Sequence, residues 1–384
     1  MDHFDLISFY FHLGMNYNDI LQSLAVKHSV IISKRHLIRL LKMHGLKRKQ
    51  YADIGQVVDF IKQELEGPGR LHGYRWMHAK CLQSGINAKK EDVRLILANL
   101  DPNFSAMRRA RRLIRRRYFA QGPNYIWHVD SYDKLKPYGI CINGCIDGFS
   151  RKIIWLKAAY TSNDPHVIGG YFVEAVEQTG GCPQIIRTDL GTENVVVRDI
   201  QTFLRRHDND NRSGDRSYIA GTSTSNQRIE SWWGILRKEG MEYWIQFLGE
   251  MKDEGLFVGD FLDKSLVQLS FRNVIQEHLD KIKAVWNTHR IRPTKNCNVP
   301  SGIPDVMYTV PQLWGSEDCV VPHSNLGACK QTCKFLSTIP CDEDVFDLCN
   351  MIMLESGLTF PTNIPQAQDF YLTIREALRS LIFN

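Results

Sequence analysis

Nowhere does the 384-residue chain run to the roughly 20 consecutive apolar residues that a membrane-spanning helix needs, so no membrane partner is expected. No basic stretch followed by a hydrophobic one opens it, which excludes a secretory signal and leaves a nuclear or cytosolic setting, not a secreted one. Its ten cysteines are then expected as reduced thiols. No CxxC pair occurs, and the spacings among Cys319, Cys329, Cys333, Cys341, Cys349 and His323 fit no common zinc finger, so zinc is not expected. Positive charge is scarce at the C-terminal end: residues 300–384 carry 4 Lys and Arg against 10 Asp and Glu.

The missing positive charge is found at the other end. Residues 1–123 hold 22 Lys and Arg against 10 Asp and Glu, while residues 124–299 hold 22 of each. A basic front third marks a module that binds a polyanion, because Lys and Arg at phosphates release condensed counterions. A solvated basic face with no partner is the bland alternative. Double-stranded DNA is the partner that the remaining features favour.

Residues 8–46 read as two helices. Asn16 and Ser33 are the capping residues, Ile20, Leu21, Leu24 and Ala25 then Leu37, Leu40 and Leu41 have helical spacing, and Gly45 is the stop. Lys34, Arg35, Arg39 and Lys42 lie on the outer face of the second helix, as in a helix-turn-helix whose second helix enters a major groove. An αα-hairpin packed on a core fits this segment nearly as well. Residues 51–107 repeat the theme: a helix from Val57 to Leu65, then helix, glycine turn and helix, with Lys89, Lys90 and Arg94 on the last. Residues 108–117, RRARRLIRRR, place seven arginines in ten positions and cannot be buried. Arg111, Arg112, Arg115 and Arg116 are read as contacts along a phosphate backbone, and the run can serve nuclear import.

From residue 124 the texture changes. YIWHVDSYDKL, GICINGCI and KIIWLKAAY are short β-rich runs. A helix follows from Asp164 to Gly180, then a strand ending in RTDLGTEN, a helix over 195–206, a polar loop, the brief strand SYIAG and a long helix beginning near TSNQRIE. This order gives an α/β domain with a five-stranded mixed sheet flanked by helices.

Three acids within this domain carry the chemistry. Asp130 lies inside an apolar strand, where an acid is costly unless it has a cationic partner such as a metal ion. Asp189 ends a strand, and Glu230 sits on the long helix with Asn226 one turn earlier on the same face. Phosphodiester cleavage and strand transfer need two divalent ions in a hard oxygen site, so carboxylates gathered from separate elements suit Mg²⁺ or Mn²⁺.

These motifs resemble the integrase core of retroviral integrases and of related transposases with an Asp, Asp, Glu triad. The likeness covers residues 124 to about 245 and rests on HVDSYD, CIDGFSRKIIWL, RTDLGTEN and GTSTSNQRIESWWGILRK. It implies an RNase H-like fold, a triad of Asp130, Asp189 and Glu230 holding two metal ions, and cutting and joining of DNA. Residues 8–120 are similar to the paired helix-turn-helix front of certain insertion-sequence transposases, and WNTHRIRPTKNCNVPSGIPDVMY resembles the segment that follows such cores. Two departures stand out. Asp189 and Glu230 are 41 positions apart, longer than the retroviral interval, with the polar stretch 205–217 as the insertion. No His-His-Cys-Cys zinc unit precedes the core.

Other residues are weaker candidates. Asp133, if still on the strand, faces away from Asp130. Asp147 precedes Gly148 in a turn, where Asp is common for structural reasons. Glu193 lies close to Asp189 and is the main substitute for a triad member. His128 shares a face with Asp130, as a substrate contact or, more simply, a satisfied structural histidine. Arg237 and Lys238, two turns past Glu230, can hold target phosphates or coat a solvated face. Trp232 and Trp233 read as core. Phe261, Leu262, Leu266 and Leu269 suggest another helix or two over 255–290.

The domain reading is 1–50 helix-turn-helix, 51–107 a second such unit, 108–123 an arginine-rich linker, 124–250 the catalytic core, 251–310 a helical extension and 311–384 an acidic, Cys-containing tail. Three functions compete: an active DNA transferase working as a homo-oligomer on paired ends, a domesticated DNA-binding protein with its chemistry lost, and a nuclease that cuts without joining.

Overall fold

The computed structural model describes residues 3–47, 51–67, 69, 72–100, 118–222, 225–293, 300–323, 326–335 and 339–383. They form two compact units, one of Met1–Ile126, Asp147–Lys152 and Ala284–Val320, the other of Trp127–Ile146, Ile153–Lys283 and Val321–Asn384.

The first unit opens with three helices rather than two: α1 (His3–His12), α2 (Tyr17–His28) and α3 (Lys34–Met43). Asn16 caps α2, accepting from the amides of Asn18 and Asp19, both at 2.9 Å, and Ser33 caps α3. The extra helix α1 starts ahead of the segment that the sequence pattern marks as helical. It is held by burial of Ile7 and Tyr10 against Ile20, Leu24, Leu37 and Leu41. A second trio, α4 (Ile54–Leu65), α5 (Tyr74–Gln83) and α6 (Lys90–Leu100), closes over Val57, Ile61, Met77, Cys81, Val93 and Leu97. Gly85, at φ +76°, makes the left-handed turn after α5 that a side chain would resist.

Asp147 also belongs to this unit and is fully buried. It accepts from the Asn124 amide at 2.8 Å and from the Ser150 amide and hydroxyl, both at 2.7 Å. Its role is to close a turn. Burial nevertheless pushes its carboxyl up to about 6.

The second unit is built on a sheet of β1 (Ile126–Tyr132), β2 (Cys141–Asp147), β3 (Ile153–Ala159), β5 (Ile185–Asp189) and β6 (Tyr218–Gly221), in the order β3-β2-β1-β5-β6. β2 and β3 pair antiparallel, with a shift in register between Cys145 and Ile146, whereas β5 and β6 pair parallel. The sheet is therefore mixed, and with its flanking helices the arrangement is RNase H-like.

Helices α7 (Pro165–Thr179) and α8 (Val195–Leu204) cover one face through Phe172, Val176 and Val197, which pack with Trp127, Val129 and Trp155 from the strands. The Asp164 side chain caps α7, and Gly180 ends it in the left-handed conformation. A two-residue strand β4 (Gly181–Cys182) pairs with β7 (Val321–Pro322), a ladder too short to read in advance.

The long helix expected after SYIAG is two helices, α9 (Gln227–Leu236) and α10 (Glu242–Asp253), joined by a single π turn at Arg237–Met241. Gly240 lies in that turn, where an added Cβ would stand 2.5 Å from Ile282 Cδ1. Residues 255–290 hold one helix, α11 (Phe261–Thr288). Leu266 and Leu269 are buried along it, but Phe261 is 65% exposed at its first position, so that residue is not part of the core. Among the described residues no helix is long and apolar enough to cross a membrane.

Because Asp147 satisfies buried amides, Asp147→Ala is expected to lower stability by about 3 kcal/mol, the order for stranding such groups. Urea unfolding measures this. A variant that unfolds at the wild-type midpoint would contradict a structural Asp147.

Candidate active site

Strand β1 alternates. Trp127 and Val129 enter the core beneath α7 and α8, so His128 and Asp130 point to the other face. Helix α9 lies against that face. Its residues Asn226, Glu230 and Trp233 stand at i, i+4 and i+7, one stripe along the helix.

The two ends of the stripe are bonded to β1. Asn226, fully buried, donates from Nδ2 to the Val129 carbonyl at 2.8 Å, and its Oδ1 lies 2.7 Å from His128 Nδ1. An amide oxygen only accepts, so His128 carries its proton on Nδ1. Burial pushes the imidazole down to about 3, which keeps it neutral and makes it a structural anchor rather than an acid or base. At the other end Trp233 donates from Nε1 to Asp130 Oδ2 at 2.8 Å. The indole thus does more than fill the core, a contact that residue type alone does not disclose.

Glu230 lies between these two anchors. Asp189 arrives from the end of β5, the neighbour of β1 in the sheet. Asn194 Nδ2 donates to Asp189 Oδ1 at 3.0 Å and to Glu193 Oε1 at 2.9 Å, drawing a fourth carboxylate in beside Asp189. Glu193 can fold back this far because residue 191 is glycine; an added Cβ there would overlap its carboxylate. Asp133 is not on the strand, as the spacing argument assumed. It begins a 3-10 turn, and its charge bears on Glu193.

The carboxylates feel one another. Burial, and then the charges of Asp189 and Glu230, raise Asp130 to about 7 against the bonds from Trp233 and the Ser131 amide. Burial and the Asp189 charge also raise Glu230, and burial, Asp189 and Asp133 raise Glu193. Among the described residues no group of three His, Cys, Asp or Glu side chains is gathered tightly enough to hold an ion by itself. All-oxygen donors with raised proton affinity are nonetheless what a hard divalent cation would bind and discharge.

A family model described as an integrase core domain matches residues 117–306. The chain carries an integrase core domain. No match is found among curated proteins. The matched residues reach beyond the triad's own elements, through α11 and into α12 (Pro304–Thr309).

The cationic candidates divide unevenly around this integrase core. Lys34, Arg35 and Arg39 are exposed on α3, which has no acidic residue; Arg39 touches His36 at 2.8 Å. Lys89 lies over the Tyr51 ring, and Lys90 is exposed. Arg94 is tied to Glu91 through its Nε at 3.0 Å, on a helix whose first turn also holds Asp92. Arg237 and Lys238 sit in the π turn, with Arg237 paired to Glu242. Arg111, Arg112, Arg115 and Arg116 lie outside the described residues.

The raised Asp130 has a stability consequence with a definite sign. Its folded value of about 7 exceeds its ordinary 3.8, so the fold disfavours the charge. The cost grows from about pH 4, where the unfolded chain ionises, to about pH 7, where the folded one does, and then stays level. Without divalent ions, Asp130→Asn should therefore raise Tm, by a margin that widens over that window and is flat above it. An equal Tm for both proteins at pH 8 would show that the fold places no such cost on the charge.

Proposed function

We propose that this integrase core cuts and joins DNA strands, with Asp130, Asp189 and Glu230 holding the divalent ions that the reaction needs. The observation that carries this reading is the convergence of three mutually repelling carboxylates from β1, β5 and α9. Negative charge concentrated in that way is costly to a fold and useful only when it meets positive charge.

Bound there, a pair of Mg²⁺ or Mn²⁺ ions would supply activation of the attacking oxygen and stabilisation of the leaving one. The chain's own contribution is placement. Asp130 is held on a rigid strand with one oxygen fixed by an indole N–H. Asp189 is oriented by Asn194. Glu230 rides on a helix fastened at both ends of its working stripe. The scissile phosphate would enter between them, with water or a 3′-hydroxyl as nucleophile. Asp130 must be ionised to hold a cation, so activity should rise with pH through about 7.

Recognition of the DNA falls to the front of the chain. Helix α3 presents Lys34, Arg35 and Arg39 with no acid beside them, the pattern of a helix lying in a major groove, whereas the Arg94 charge on α6 is already engaged by Glu91. The arginine run 108–117 would follow the backbone and serve nuclear entry. Work on paired ends would call for a dimer or larger assembly.

Supercoiled plasmid with Mg²⁺ or Mn²⁺ tests the chemistry: the wild type should nick or join it, and Glu230→Gln should not. If neither acts yet both bind DNA, the chain is a DNA-binding protein whose chemistry is lost; cutting without joined product makes it a nuclease. Recognition is tested by salt dependence. Arg35→Ala and Arg39→Ala should each flatten the slope of log affinity against log salt by about 0.9, with a smaller change for Arg94→Ala.

A further inference from the structure

We propose that Trp233 is a positioning residue of the carboxylate site, its indole N–H fixing Asp130 and, together with Asn226, clamping α9 to β1 so that Glu230 is held facing Asp130. The inference rests on the reading that these carboxylates bind divalent ions.

Glu230 sits one turn after Asn226 and three residues before Trp233, and both flanking residues bond β1: Asn226 through the Val129 carbonyl and His128, Trp233 through Asp130 itself. A helix tied at one point can pivot about it; tied at two points on the same stripe it cannot. The chemical type of the second tie matters. An indole has one donor and no acceptor, so it orients a carboxylate without ligating a cation and without adding positive charge. A lysine or arginine in that place would orient Asp130 too, but would neutralise it and compete with the ions. The N–H bonds Oδ2, and the Ser131 amide adds a second neutral donor to the same carboxylate.

The seat of the ring is cut to fit. Gly144 of β2 lies beneath it, where an added Cβ would come 2.7 Å from Trp233 Cη2. Tyr132 and Trp232 flank it, each with ring centroids 5.5 Å away. The indole is buried at 6% exposure, so its direction is set by packing and not by the hydrogen bond alone. Gly144 therefore offers an independent handle, since Gly144→Ala displaces the ring while removing no group from the site.

The test measures binding of Mn²⁺ alone to the full chain by calorimetry, across pH, with Tm recorded for each protein. Trp233→Phe should weaken Mn²⁺ roughly tenfold, the lower end for loss of a group that orients a ligand. Its pH midpoint for binding should move upward, because Asp130 loses a bond that favours its ionised form while Asp189 and Glu230 still press on it. Gly144→Ala should shift both readings the same way and carries the test if Trp233→Phe does not fold. Variants that melt as the wild type does and bind Mn²⁺ with unchanged affinity and midpoint overturn the clamp. Glu230→Gln separates the two levels of the argument: a wild type that takes up no Mn²⁺, or takes it up equally without Glu230, overturns the metal reading underneath.

Discussion

Like charges in a partly desolvated place push apart, and in this protein the push falls on the interior of β1, the end of β5 and one stripe of α9. Asp130, Asp189 and Glu230 are each supplied by a different element, so their mutual repulsion acts directly on how those elements pack. The fold answers with neutral groups. Asn194 donates to Asp189, Trp233 to Asp130, and Asn226 ties the helix down beyond the carboxylates. None of these cancels charge. The negative potential is left uncancelled while the side chains that create it are fixed in direction. The raised proton affinity of Asp130 follows from that strategy, since a proton is the cation always at hand.

Positive charge is handled by the opposite rule. On α3, Lys34, Arg35 and Arg39 are exposed on a helix with no acid, and Arg39 bonds His36 rather than a carboxylate. On α6 the first turn brings Glu91 and Asp92, and Arg94 folds onto Glu91. The two helical trios differ in net charge as well: residues 1–50 carry 8 Lys and Arg against 3 Asp and Glu, whereas residues 51–107 carry 7 of each. An exposed ion pair contributes little to stability, but it does occupy a guanidinium that a phosphate would otherwise use.

Features governed by local rules could be read from the residues. Short β-rich runs placed β1, β2 and β3, and Asn16, Ser33, Asp164 and Gly180 marked helix ends because capping is short-range chemistry. Asp130 stood out because an acid within an apolar strand is conspicuous. What escaped depends on distant partners. Helix α1 is packed through Ile7 and Tyr10 on residues of α2 and α3 that lie well beyond it in the chain. The π turn at Arg237–Met241 accommodates close contact of Gly240 with Ile282, far along the chain. Trp233 looked like any buried aromatic, since nothing in a residue type says which way its single N–H will aim. Asp133 was misjudged because the strand ends one residue before it.

Glu193 shows how finely the site is set by something as small as a missing methyl. Its carboxylate reaches Asn194 and the neighbourhood of Asp189 only because Gly191 leaves the space, so the segment after β5 brings a further acid beside Asp189. The extra charge has a direction: it lies on the Asp189 side, with Asp133 bearing on it, whereas Asp130 and Glu230 are joined by the α9 clamp. The acids on that side stand at the end of β5 and on the short turn Thr192–Asn194, whereas the strand and helix that carry Asp130 and Glu230 are tied to each other by neutral hydrogen bonds.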